Sequence, residues 1–295
     1  MHTLLTGANG FLGLNIKNAI NKQGITTLGL RDCDYNINLA KEIPFFDQGF
    51  ERVIHAAGKA HVIPRTPKEE EDFYQTNVQG TRNLLSALSQ TKNLPHIFIF
   101  ISTVSVYGVE NAVNFDESAP LLGTSPYAQS KIQAENIVQE WGLENNVNII
   151  ILRLSLLVGE NPPGTLGNMY KAIRCGYYFR IGTGSARRSM VLATDVANLI
   201  VNIDHKSGIF NLTDGYHPSF KELEEAIASQ MGKKIKRIPP WLALIAARAG
   251  DLFPFVPLNS RLLEKLKQSD TYNDDKARNE LGWKPRKVLD SFSKN

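Results

Sequence analysis

Cysteine is nearly absent from this chain. Cys33 and Cys175 are the two it has, and they lie far apart in sequence. Such a pair cannot staple a small secreted scaffold and points instead to a reducing compartment. Long hydrophobic runs are lacking too, so no bilayer span is expected. The nearest approach, Trp241 to Ala247, is interrupted by Arg248 and Asp251. It reads as a buried or half-buried helix, with contact to a membrane surface as the alternative. No signal-type stretch precedes the apolar strand that starts at Met1, and a cytoplasmic location is expected. Internal repeats and low-complexity tracts are missing. Charge is close to balanced: the net value of +4 suits anionic small molecules without requiring nucleic acid. The cluster Lys233, Lys234, Lys236 and Arg237 has no interleaved aromatics, so it reads as a solvated loop or strand edge. The six histidines (His2, His55, His61, His96, His205 and His217) form no ligand-spaced cluster with cysteine or acid, and no metal is expected. A GxSxG nucleophile elbow is absent as well.

What the chain does have begins at its first residues. MHTLLTGANGFLG, residues 1–13, reads as an apolar strand, a glycine-rich turn and the start of an amphipathic helix. Gly7 lets the chain leave the strand tightly, Gly10 lets a pyrophosphate approach the backbone, and Gly13 lets helix and strand pack closely. The N–H groups at the helix start then face an anion. The spacing is GxxGxxG, not the GxGxxG fingerprint, and a simple tight turn would use the same glycines. Helix Phe11 to Lys22, strand Ile25 to Leu30, strand Arg52 to Ala57, strand His96 to Ile101, helix Ser125 to Glu140 and strand Val147 to Leu152 continue the alternation. Strands alternating with helices imply an α/β fold with a doubly wound parallel sheet, the Rossmann type, with ligands beyond the carboxyl ends of the strands. Residues 1–155 make this domain, and 190–204 return to it as a helix from Asp195 to Ile203. Residues 156–189 and 205–295 make a smaller, mostly helical substrate lobe, punctuated by Pro239, Pro240, Pro254 and Pro257. Within it Ile209 to Leu212 reads as a short strand, and Ser219 caps a helix from Phe220 to Met231 with Glu222 at capping-box distance.

Three features occur in order: the glycine turn, a hydroxyl-rich strand tip at Ser102-Thr103-Val104-Ser105, and a helix opening with Tyr127 and Lys131. Residues four apart share a helix face. A tyrosine titrates near 10, and an ammonium beside it favours the phenolate, making a base usable at neutral pH. A Tyr–Lys pair at this spacing also occurs on plain helix surfaces. At the tip of the second strand, Arg31 stands where an acid would meet the adenosine ribose, which leans toward NADP. Asp32, one residue later, keeps NAD open.

These segments resemble the extended short-chain dehydrogenases/reductases, the NAD-dependent epimerase/dehydratase family of nucleotide-sugar enzymes. The similarity is carried by TGANGFLG at 6–13, HAA at 55–57, NVQGTRNLL at 77–85, STVSVYG at 102–108, SPYAQSK at 125–131 and LGWKP at 281–285. The resemblance implies NAD or NADP bound by Gly7, Asn9, Gly10, Phe11, Leu12, Gly13, Arg31, Ala56, Ala57, Gly58, Asn77 and Ser102, together with Tyr127 and Lys131. It implies Tyr127 as base, Lys131 as its partner and Thr103 as the hydroxyl holding the reacting oxygen. It implies a nucleoside diphosphate sugar as substrate, touched by Thr103, Ser105, Tyr127, Ser155 and Arg188, and a homodimer paired through helices. Arg188, in ARRSMV, matches the family's phosphate-gripping arginine, although a surface arginine would read the same. Val104 and Ser105 stand where the family's dehydratases carry an Asp-Glu pair, which argues against dehydration. A 4-epimerase or 4-keto reductase of surface-polysaccharide synthesis is therefore expected. Reduction of a non-nucleotide carbonyl, or cofactor sensing without catalysis, are the alternatives.

Overall fold

The computed structural model describes residues 2–20, 24–60, 62–109, 111–252, 260–265 and 267–292. Met1, Lys22, His61, Pro254 and Pro257 lie outside them. The chain runs through β1 (Thr3–Thr6), α1 (Phe11–Ala19), β2 (Ile25–Gly29), β3 (Tyr35–Asn36), β4 (Arg52–His55), α2 (Pro67–Tyr74) and α3 (Gly80–Ser89). A π-helical turn, Gln75–Gln79, joins the last two. Then come β5 (Ile97–Thr103), α4 (Pro126–Asn145), β6 (Asn148–Leu154), β7 (Leu156–Val158), α5 (Gly164–Cys175), β8 (Phe179–Ile181), β9 (Met190–Leu192) and α6 (Ala193–Asn202). The remainder comprises β10 (Gly208–Leu212), α7 (Phe220–Gln230), β11 (Lys236–Ile238), α8 (Pro240–Leu252), α9 (Ser260–Lys265) and α10 (Asp275–Leu281).

Seven parallel strands form the central sheet in the order β10-β6-β5-β4-β1-β2-β3. Successive side chains alternate across it. Leu5, Ile54 and Ile99 enter one core with α1 and α6, and Leu4, Val53 and Phe98 enter the other with α3 and α4. Both faces are covered, which is why these strands read as unbroken apolar runs. Strand order reverses at β1, whose neighbours are β2 and β4. A crevice therefore opens above the carboxyl ends of β1 and β4.

The span expected for the smaller lobe, 156–189 and 205–295, contributes to both cores. β10 is the seventh strand of the main sheet, in register with β6 from Gly208↔Ile150 to Leu212↔Leu154. Ala277 of α10 and Trp283 are buried in the same core as Leu5 and Ile99. A short strand's partner is a long-range fact, and the local pattern of GIFNL does not carry it. The separate C-terminal core is smaller and gathers Leu166, Met169 and Ile173 of α5 with Leu223 and Ile227 of α7. Ser219 caps α7 in a capping box with Glu222.

Candidate active site

The glycine turn has the shape that its residues dictate. Gly7 sits at φ +68°, and a Cβ there would meet the Ala57 nitrogen at 2.6 Å. A Cβ on Gly13 would lie 2.1 Å from the Gly7 carbonyl oxygen. Both glycines are required by close backbone approach. Gly10 differs: a Cβ there would meet only the Gly7 oxygen, at 3.2 Å, and the residue is exposed. Gly10 is the N-cap of α1 and no side chain caps it. The first N–H groups of α1 thus face an open cradle that a Cβ would begin to fill, which fits a pyrophosphate. Asn9 donates to the Arg31 carbonyl at 2.8 Å, bracing the β2 tip against this turn. Arg31 is exposed there, and Asp32 adopts φ 54°. Leu12 is buried in the core below, and Phe11, half-buried, has its ring end near Gly159.

Ala56, Ala57 and Gly58 border the crevice from β4. A hydrogen-bond chain holds them. The Ala57 N–H donates to Thr6 Oγ1 at 3.1 Å, and Thr6 Oγ1 lies 2.7 Å from His55 Nδ1. His55 Nε2 lies 3.0 Å from Thr81 Oγ1, which donates to the Asn77 carbonyl. That direction assigns the proton of His55 to Nε2. Burial, with Lys131 nearby, drives the His55 pKa down to about 3, so the imidazole is neutral. Asn77, expected beside the cofactor, is a buried strut of this edge. It accepts from the Lys59 N–H at 2.7 Å, and it donates to the Lys59 carbonyl and to Ser130 Oγ at 2.9 Å. Ser130 in turn donates to the Tyr127 carbonyl. The cradle and the expected catalytic helix are one bonded unit.

Ser125 caps α4 through the Ala128 N–H, with Pro126 in the first turn. This geometry sets Tyr127 over the end of β5. Thr103 Oγ1 donates to Ser105 Oγ at 3.2 Å and accepts from the Ser105 N–H at 3.2 Å, close enough to the Tyr127 phenol to favour its phenolate. Lys131, one turn further, is buried with its ammonium 3.9 Å from the Phe100 ring centroid. The electrostatics differ from the sequence expectation. Burial raises the Tyr127 pKa, offset by Thr103 and not by Lys131. Burial also lowers Lys131 to about 7, with Glu135 opposing. The reason is that α4 presses both groups onto the apolar floor of β5, where a charge loses its water.

Three further site residues have partners within the fold. The Ser102 hydroxyl donates to the buried Glu135 carboxylate. Ser155 donates to the Leu212 carbonyl at 2.9 Å, joining β6 to β10. Arg188 is ion-paired with Asp270, with its guanidinium 5.6 Å from the Phe220 ring centroid. A phosphate reaching Arg188 would have to share it with that carboxylate.

Glu135 belongs to a network that the sequence reading missed. Arg153 donates to Glu135 Oε2 at 2.7 Å and to Tyr107 Oη at 3.1 Å, and Tyr107 donates to Asn211 Oδ1 at 2.7 Å. One signal was available: 127, 131 and 135 share a face of α4, and an acid in line with a buried lysine needs a partner. Among the described residues, no three His, Cys, Asp or Glu side chains are grouped to hold a metal. Clefts of about 530 and 470 Å³ lie elsewhere, one beside Asp214 and Arg278 and the other beside Trp241 and Leu244.

The model of the NAD dependent epimerase/dehydratase family matches residues 3–212. A relative from Escherichia coli O157:H7, an N-acetyl-alpha-D-glucosaminyl-diphospho-ditrans,octacis-undecaprenol 4-epimerase, is 29% identical over 79% of this chain and 73% of its own length. Against another curated relative the match spans 51% of that protein's length. Among solved structures, the UDP-Glc/GlcNAc 4-epimerase of Campylobacter jejuni shares the fold with a TM-score of 0.77 at 20% identity, over 99% of this chain and 96% of that one. The human epimerase family protein SDR39U1, solved with NADPH, does so at 0.75 and 16% identity, over 99% and 98%. The strand-order reversal, the glycine cradle and the Thr103–Tyr127–Lys131 arrangement thus meet a family match across most of the chain, which belongs to the NAD-dependent epimerase/dehydratase family of extended short-chain dehydrogenase/reductase enzymes.

Proposed function

We propose that the protein is an NAD(P)-dependent 4-epimerase or 4-keto reductase of a sugar carried on a diphosphate. The observation that carries this is that the end of β5 and the first turn of α4 bring the Thr103 hydroxyl beside the Tyr127 phenol, over a floor that also buries Lys131. A substrate oxygen placed between the two hydroxyls can lose or gain its proton at Tyr127 Oη while Thr103 Oγ1 holds it. The nicotinamide, when bound, supplies the hydride acceptor or donor and a ring charge that favours the phenolate. The chain's own part is orientation and proton handling. Lys131 keeps α4 seated on Phe100 and brings a group that titrates near the working pH. Val104 and Ser105 offer no acid and base for eliminating water, which separates this site from a dehydratase. The E. coli relative is a 4-epimerase, which supports the same choice.

Tyr127→Phe tests the assignment. Turnover should fall by about 10²–10⁴-fold, with NAD(P) affinity close to the parent's. Full turnover in that variant would refute the role. Mass spectrometry of the purified protein then separates the two reactions: retained NAD marks an epimerase, and NADPH-dependent turnover without retention marks a reductase. Arg31, exposed at the β2 tip, supports NADP.

A further inference from the structure

α8 has two unlike faces. Ala243 and Ala247 are buried against Ile181, Ile238 and Leu263. The opposite face exposes Trp241, Leu242, Leu244, Ile245 and Leu252, with Trp241 65% accessible. Of the buried or half-buried helix expected here, the fold makes the half-buried one. A helical spacing that places this many large apolar side chains on one exposed arc makes a contiguous patch, not scattered surface residues. Arg248 lies on the same arc and is exposed. β11 leads directly into α8, and Lys233, Lys234, Lys236 and Arg237 are all exposed on that approach. Against these five cations stand Asp251, an exposed carboxylate bonded by Ser260, and Glu264, which pairs with Lys267. The flank of the patch is thus positive.

We propose that this face of α8 docks on an anionic lipid bilayer, so that the enzyme works at a membrane surface. An apolar stripe about 20 Å long with a basic border matches the interfacial mode, in which a helix lies in the headgroup layer. At 13 residues, α8 is too short to cross, and no helix among the described residues is long and apolar enough to do so. A second copy of the chain would set the same net positive flank against this one. A layer of anionic headgroups supplies the missing sign.

The test uses the full chain and sedimentation with vesicles of phosphatidylcholine alone or of equal parts phosphatidylcholine and phosphatidylglycerol. The protein should pellet with the second and be released by salt. Trp141 and Trp283 are 8% and 3% accessible, so a blue shift of tryptophan emission on binding reports Trp241. The Trp241→Glu/Ile245→Glu variant should lose pelleting by about tenfold or more with its thermal midpoint unchanged, because both side chains are exposed. Trp241→Phe should pellet and lose most of the blue shift. Tyr127→Phe should pellet like the parent, which keeps this outcome separate from the fate of the catalytic assignment. Failure to pellet with phosphatidylglycerol, equal pelleting by the double variant, or a solution dimer that the double variant dissociates would overturn the proposal.

Discussion

Lys131 is the residue whose chemistry departs most from what its spacing suggested. Its folded pKa is about 7, against 10.5 for a free lysine. The unfolded chain therefore holds one more proton than the folded chain between those values, and stability rises with pH across that window. Below about 7 the ammonium is buried at full cost. Lys131→Met removes the cost, so the variant's thermal midpoint should exceed the parent's most at pH 6. That advantage should shrink steadily toward pH 10. A gap that does not change with pH would show that Lys131 does not titrate as described. At the β2 tip, Arg31→Ala should raise KM for NADPH about tenfold or more and leave KM for NADH nearly unchanged, since a guanidinium–phosphate pair is lost only with the former. Equal effects on the two cofactors would remove Arg31 from cofactor choice.

Elements decide what a glycine is for. Gly10 and Gly13 sit three apart in one turn, yet a Cβ meets a single backbone oxygen at 3.2 Å at the first and backbone at 2.1 Å at the second. Gly13→Ala should thus destabilise the fold by roughly 2–4 kcal/mol, because α1 must move off β1. Gly10→Ala should fold with a midpoint within a few degrees of the parent and bind NAD(P) at least about tenfold more weakly, because its methyl occupies the cradle. Thermal melts and cofactor titrations on both variants check this, and equal stability losses would erase the distinction. The turn, the apolar strands and the capped start of α4 were legible in the sequence because each is local: a spacing of glycines, a run of apolar residues, Ser125-Pro126 ahead of a helix. Asn77 and Ser102 were legible as positions along the chain, and their partners in the fold were not. Their side chains turn toward Ser130 and Glu135, partners 53 and 33 residues away. No local pattern states which way a polar side chain will turn when both a ligand and a buried partner are within reach.

The whole molecule is more unified than its punctuation by proline suggests. After the sheet's sixth strand the chain builds a second core, then comes back twice: as β10 against β6, and as α10 and Trp283 against that strand's end. Trp283 donates its indole N–H to the Thr213 carbonyl at 2.9 Å and shares a core with Ile150 and Val196. Arg286 bonds Asp195 at the start of α6 through both backbone and guanidinium, and the Val288 N–H donates to Asp214. The buried line Glu135–Arg153–Tyr107–Asn211 likewise runs from α4, the helix of Tyr127, to β10. A segment tied to the sheet in this way cannot unfold by itself and leave the cofactor domain standing. Trp283→Ala should therefore lower the stability of the entire protein by about 3–5 kcal/mol. In urea, the loss of NAD(P) binding and the loss of helical signal should shift together to the same lower midpoint. If the C-terminal residues were an independent lobe, the substitution would instead split the transition. Cofactor binding would then persist at the parent's midpoint while part of the helical signal melted earlier.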